Sequence, residues 1–259
     1  MENSEPTSNA ELMSRARASL KGKWGLAIAT HVVGTFLSLG LQSISKSGFV
    51  ISCLIAGPLS LGFALFGLSL SRHEDAKLTQ IFQGFKRFGV AFGAYVLIAL
   101  IVFLWALFGI IIFIAAAIVV GLFYFDLSSF SMMTHEFEGY GFQEYIALLG
   151  DGSQGLMIIS LGLIGFLLLL TPSMMVALGY SQTFFVIAEN SRIDSLEALQ
   201  ASKTMMKGHL WRYAYLVSRF IGWMILGVLS LGIGFLWILP YMNISYAHFY
   251  DDLKNIQTT

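Results

Sequence analysis

"MMKGHLWRYAYLVSRFIGW", residues 205–223, sets Lys207, His209 and Arg212 among Met205, Met206, Trp211, Tyr213 and Tyr215, with Arg219 just ahead of a run free of further charge. Such a stretch suits a catalytic cluster, a nucleic-acid patch or the start of a membrane helix. The composition around it decides between them. Of 259 residues 56% are hydrophobic and only 12% charged, at a mean hydropathy of +0.75. A soluble domain carries about 25% charge, so most of this chain has lipid as its solvent. The apolar runs are continuous rather than alternating, which excludes a transmembrane barrel. In that setting 205–223 reads as a helix entering a leaflet: Lys207 and Arg212 reach for phosphate while the Trp211 ring settles in the interface.

Formal net charge is zero, so no global field draws nucleic acid, and none is expected as a partner. Cys53 stands alone, which excludes an intrachain disulfide and a multi-cysteine metal site. It reads as a small packing residue. The first apolar run starts at Trp24 and continues well past a signal-peptide core, so an uncleaved anchor is expected.

Five apolar blocks follow: 24–44, 49–71, 89–125, 155–188 and 216–250. A span needs about 20 residues. The first two blocks are one span each, joined by "SKSG" at 45–48. The third reads as one long crossing, because two short ones would need a turn near Gly109 with no polar residue to solvate it. The fourth crosses once and runs past Pro172. The last contains "LGIGF" at 231–235, where two glycines allow a turn, and divides into spans at roughly 216–233 and 235–250. The expected fold is therefore all-α: a polytopic membrane protein of about six transmembrane helices in three hairpins, forming one integral membrane domain over 1–259.

Positive charge orients the hairpins. Every Lys and Arg except Lys46 falls in the N-terminal segment, in 72–88, in 190–219 or at Lys254. The loop 126–154 carries Asp126, Glu136, Glu138, Glu144 and Asp151 but no Lys or Arg. The N- and C-termini are thus expected in the cytoplasm and the acidic loop outside, in the cytoplasmic membrane of a bacterium.

Each basic segment has one design. Leu78, Ile81, Phe82, Phe85 and Phe88 fall on one helical face, with Lys77, Gln80, Lys86 and Arg87 around the rest. Ser8 and Glu11 have capping-box spacing before Leu12, Met13, Ala16 and Leu20. Asp194 suits an N-cap, with Glu197 in the first turn and Gly208 as a C-cap. "KGKW" at 21–24 and "KGHLW" at 207–211 lead into the next spans. These segments are expected to be amphipathic interfacial helices, with Lys21, Lys23, Trp24, Lys86, Arg87, Lys207, Trp211 and Arg212 anchoring to lipid headgroups. Pro58, Pro172 and Pro240 each lie in the second span of a hairpin and are followed by Glu74, Glu189 and Asp251. Three units emerge, 1–71, 72–188 and 189–259, each an interfacial helix plus a hairpin, the middle one expanded. Either they are true repeats, or every hairpin simply needs an anchor.

The stretches "RARASLKGKWGLAI" (15–28), "GPLSLGFALF" (57–66), "IFQGFKRFG" (81–89) and above all 202–254 resemble an uncharacterised bacterial integral-membrane family, domain of unknown function 975. The chain departs from that pattern in an expansion over roughly 109–160 and in "TPS" at 171–173. The resemblance implies a topology and no reaction.

No HExxH, GxSxG, GxxxxGK[ST] or CxxC occurs, and neither an enzymatic activity nor a cofactor is expected. His31, mid-span with Thr30, Thr35 and Ser38 nearby, is a candidate intramembrane polar site, although hydrogen-bonded packing against a neighbouring helix is the preferred reading. His248 with Asp251 and Asp252, and His135 with Glu136 and Glu138, have ligand-like spacing, but solvated helix ends and loops carry the same residues. Arg219 lies a turn inside the last hairpin and needs a partner, which Asp251 or Asp252 could supply; the pair Arg219 and Asp251 is the expected one, locking the hairpin. Gly89 with Gly93, and Gly57, Gly62 and Gly67, are expected to let helices approach closely.

The functional expectation is a non-enzymatic scaffold, accessory subunit or lipid-interacting protein that grips anionic headgroups on the cytoplasmic side. Another membrane protein or a second copy is a possible further partner. The alternative is a small-solute transporter or channel with a midplane site near His31.

Overall fold

The computed structural model describes residues 6–43, 48–124 and 152–258, and among them the only regular structure is helical. Asp194 and Ser8 cap their helices as the spacing predicts. α1 covers Asn9–Leu20, α2 Trp24–Ser43, α3 Gly48–Ser71, α4 Gln80–Gln83, α5 Phe88–Tyr124, α6 Gly152–Gly179, α7 Thr183–Glu189, α8 Ser195–Met206, α9 Leu210–Leu229 and α10 Phe235–Thr258. A 3-10 turn, Gly84–Arg87, joins α4 to α5. Two compact units result: Met1–Ala99 with Ala177–Thr259, and Leu100–Val176.

Among the described residues three stretches are long and apolar enough to cross a membrane, Val50–Ser71, Gln80–Ala116 and Gly162–Glu189, with Trp24–Ser38 a shorter apolar helix. The sequence suggests about six. Of the other long helices, α9 keeps Arg212 and Arg219, and α10 ends in Asp251, Asp252 and Lys254. The third apolar block is one uninterrupted helix of 37 residues, without a turn at Gly109. At 1.5 Å per residue it is about 55 Å long. Leu231 and Gly232 make the turn between α9 and α10 with φ of 54° and 89°, where the sequence predicts a turn. The expected acidic loop 126–154 lies outside the described residues as far as Asp151, as do Lys46 and the His135, Glu136 and Glu138 group.

In the larger unit the core joins Ala16 and Leu20 of α1, Ala27 of α2, Phe66 and Leu70 of α3, Ala76 of the loop after α3, and Ile244 of α10, with Trp24, Leu26 and Tyr241 packed against it. The apolar stripes of the short helices are spent here. Leu12, Met13, Ala16 and Leu20 of α1 are buried, as are Ala198, Leu199, Met205 and Met206 of α8. The protein itself, not lipid, covers these faces.

The middle short helix is only one turn long, and its backbone crosses that of α3. A Cβ on Gly62 would strike the Ile81 backbone, and one on Gly84 would strike the Pro58 carbonyl. Gly57 has the same relation to Ala91 of α5, and Gly67 faces the Asn243 side chain. Within the chain Gly89 has open space around it, and Gly93 is approached by the Ser195 hydroxyl. In the smaller unit the Phe113 and Phe166 rings meet edge to face at 5.5 Å, and Phe103, Ile111, Leu163 and Leu167 are exposed.

Candidate functional site

Polar chemistry in the larger unit gathers where the short helices meet the ends of the long ones. Two joints there are built alike. Ser8 caps α1 by accepting from the Glu11 N–H, and Asp194 caps α8 by accepting from the Glu197 N–H. Both helices have 12 residues. Both end in an extended lysine, Lys21 at φ −60°, ψ 122° and Lys207 at φ −63°, ψ 120°. Each lysine precedes a left-handed glycine, Gly22 at φ 78° and Gly208 at φ 86°. Lys23 N–H then donates to Leu20 O, and His209 N–H to Met206 O, both at 2.9 Å. Shifted by 186 positions (8 to 194), caps, glycine turn and buried positions 12, 13, 16, 19 and 20 all coincide with their counterparts.

The equivalence extends to what each short helix touches. Asn9, first in α1, donates through Nδ2 to Arg212 O at 2.8 Å, and Ser195, first in α8, donates through Oγ to Val90 O at 2.9 Å. Arg212 and Val90 are each the third residue of a long helix. An arginine returns the contact. Arg212 Nη2 donates to Thr7 O at 2.5 Å, and Arg87 Nη2 to Ile193 O at 3.0 Å, each the carbonyl just before an N-cap. Arg87 Nη1 also takes Ile187 O at 2.6 Å and Asn190 O at 3.0 Å. It thereby satisfies carbonyls at the C-terminus of α7, where a cation is favoured.

The middle unit keeps part of this arrangement. Gln80 Oε1 accepts from the Lys77 N–H at 3.1 Å, the reach-back that Glu197 makes to Asp194. From that capping position to the next long helix are 11 positions (77 to 88), against 16 in the others (8 to 24, 194 to 210). The loss of more than a helical turn removes the glycine joint and leaves α4 with a single turn.

A second ionic cluster lies near the C-terminal ends of three helices. Arg72, just past α3, binds Asp251 of α10 at 2.5 Å and Glu189 at the end of α7 at 2.9 Å. Glu189 also accepts from Tyr250 Oη at 2.8 Å and Lys254 Nζ at 2.9 Å. The hydrogen bond to Asp251, outweighing burial, raises the Arg72 guanidinium above the ordinary arginine range. The cluster therefore pins the ends of α3, α7 and α10 to one another.

Asp251 is therefore committed to Arg72, and the expected Arg219–Asp251 lock does not form. Asp252 takes the role instead, with Arg212 at 2.5 Å, both side chains largely buried at 17% and 10% exposure. Helix register explains this. The antiparallel pair turns near Gly232, so 212 faces 252 while 219 faces 245, about 10 Å deeper. Arg219 is exposed, its guanidinium 5.9 Å from the centre of the Tyr215 ring. Thr7 Oγ1 donates to Asp252, and Arg212 lies over the Phe249 ring at 5.0 Å.

His31 is buried, its ring stacked on Phe63 at 4.7 Å and its Nδ1 2.9 Å from Ala27 O. His248 Nε2 lies 3.0 Å from Ser19 Oγ. Of the eight expected headgroup anchors, Arg87 and Arg212 spend their donors inside the protein and Trp24 packs on the core. Lys23 Nζ reaches Glu74 O at 3.4 Å. Lys21, Lys86 and Lys207 are exposed, as is Trp211 at 73%. Sequence reasoning missed Arg72 as a hub, and it matched the C-terminal aspartates to Arg219 where Asp252 binds Arg212. Neighbours on a helix diverge by about 100°, so Asp251 and Asp252 serve different partners.

What this arrangement does chemically is lock: carboxylates, guanidiniums and carbonyls bind one another across the helix ends, while Arg212 Nη1 and Asn9 Oδ1 are buried without a hydrogen-bond partner among the described residues. No curated protein and no solved structure matches the chain. A family model does, over residues 1–257, and the chain belongs to that family, described as a protein of unknown function, DUF975.

Proposed function

We propose that this chain is a non-enzymatic, lipid-interacting scaffold or accessory subunit of the bacterial cytoplasmic membrane. Its three hairpins cross six times, with both termini and all three short helices on the cytoplasmic side. The observation that carries the reading is the set of interlocked contacts at the helix ends. They hold the short helices against the starts of the long ones and leave Lys21, Lys86, Lys203 and Lys207 exposed around them. Exposed lysines next to Trp211 suit an anionic headgroup layer, where each near-surface cation contributes about 1 kcal/mol. The length of α9 supports its place as a span despite its arginines: 20 residues give about 30 Å, the thickness of the hydrocarbon core.

Extraction of tagged protein from its native membrane in polymer nanodiscs tests this. A scaffold or accessory role predicts a stoichiometric protein partner or an enriched anionic lipid. Co-purification of a small solute that the protein then moves across vesicles would overturn it in favour of a carrier.

A further inference from the structure

The two equivalent joints differ in what they leave over. Where α8 meets α5, Arg87 spends Nη1 on two carbonyls and Nη2 on a third, and the Ser195 hydroxyl closes on Gly93, 2.7 Å from where a Cβ would stand. Where α1 meets α9, Arg212 spends Nη2 on Thr7 O and Asp252, and its Nη1 is buried with no acceptor among the described residues. Asn9 stands where the other joint has Ser195, and it is only 7% exposed. Its Nδ2 donates to Arg212 O, but its Oδ1 is buried with no donor among the described residues. Tyr215 stands where the other joint has Gly93, and a cavity of about 410 Å³ lies between Pro6, Thr7, Ser8, Asn9, Arg212 and Tyr215.

Buried polar atoms in folded proteins are bonded, so each orphan marks a partner that these residues do not supply. The two orphans are complementary, a cationic donor and a neutral acceptor on two walls of one cavity. Satisfying both takes a ligand with an acceptor oxygen and an N–H or O–H. Charge narrows the choice. Asp252 offsets Arg212 one for one, which leaves only the partial positive charge of the α1 N-terminus. A ligand of no net charge that turns a phosphate towards Arg212 and α1 fits this balance. The cavity far exceeds one water, whose share of liquid volume is about 30 Å³.

We infer that this cavity binds the headgroup of one phospholipid of the ethanolamine type, its phosphate accepting from Arg212 Nη1 and its ammonium donating to Asn9 Oδ1. This rests on the reading that these helix ends lie in the cytoplasmic leaflet. A choline headgroup has the same charges but no N–H donor, and so leaves Asn9 Oδ1 unpaired.

Thermal unfolding of the full chain in detergent, with dioleoyl-phosphatidylethanolamine, dioleoyl-phosphatidylcholine or glycerophosphoethanolamine added, tests the site. Phosphatidylethanolamine is expected to raise Tm saturably by about 3 °C or more, the other two far less. Asn9→Ser copies the Ser195 joint: it keeps a donor for Arg212 O, removes the amide acceptor, and should respond equally to the two lipids. Tyr215→Ala removes a cavity wall that takes no part in the hydrogen bonds of the joint, and should weaken half-saturation roughly tenfold. Lys203→Gln should respond like the parent. A parent that responds equally to both lipids overturns the ethanolamine assignment. A preference that survives in Asn9→Ser, or an unchanged half-saturation in Tyr215→Ala, overturns the site at this cavity. A response to glycerophosphoethanolamine as large as that to the lipid makes it a site for the free phosphodiester and overturns the lipid assignment. No response to either lipid overturns the site, and the leaflet reading is then judged separately, by the side from which Lys21→Cys is labelled.

Discussion

Asp251 and Asp252 are neighbours in the chain, yet one closes the Arg72–Glu189 cluster and the other the Arg212–Thr7 clamp. Because the Arg212–Asp252 pair is mostly buried, removing either partner strands a charge. Arg212→Ala or Asp252→Ala is expected to cost about 3 kcal/mol or more, and the double variant clearly less than the sum of the singles. Arg219→Ala and Asp251→Ala should instead add, with coupling below about 0.5 kcal/mol. Equilibrium unfolding in detergent measures both cycles. His31→Ala should destabilise by about 2 kcal/mol, through the lost stacking on Phe63 and the space left beside Phe66. At this scale the sequence was legible in type but not in pairing. That a buried arginine in the last hairpin needs an aspartate follows from charge alone. Which arginine and which aspartate depends on where the turn falls, and shifting it by a few residues changes every partner.

The short helices show what local rules can carry. The Ser8 and Asp194 caps, the helix lengths and the glycine joints all follow from cap and breaker residues. The fate of the apolar stripes does not, because a stripe at helical spacing fits lipid and protein equally well. Here α10 and its neighbours bury it. The middle unit departs furthest from its sequence reading: 78–88 holds good helical periodicity, but its backbone contact with α3 through Gly62 and Gly84 leaves room for only one turn and a 3-10 turn. The matching joints make a sharp prediction. Gly22 and Gly208 both have positive φ and open surroundings, so an alanine meets strain and no clash. Gly22→Ala and Gly208→Ala should each cost about 1 kcal/mol, lowering Tm by roughly 3 °C, and by the same amount. If one were neutral and the other prevented folding, the two joints would not be equivalent. Gly62→Leu, by contrast, should abolish the folded state, because the obstacle is the Ile81 backbone.

For the whole molecule, composition made the long apolar helices legible, and the distribution of Lys and Arg is the basis of the proposed orientation. The interlocking was not legible, since it joins residues as distant as Thr7 and Asp252, or Arg87 and Ile193. If contacts of this kind hold every helix end in one layer, all the short helices must face the same aqueous compartment. Cysteine labelling tests that claim most directly. In a Cys53→Ser background, single cysteines replace Lys21, Lys86, Lys207 and Leu231, the last in the α9–α10 turn at 94% exposure. A membrane-impermeant maleimide should label Leu231→Cys in intact cells and the other three only in inverted vesicles. Labelling of Lys21→Cys, Lys86→Cys or Lys207→Cys from outside intact cells would contradict the account.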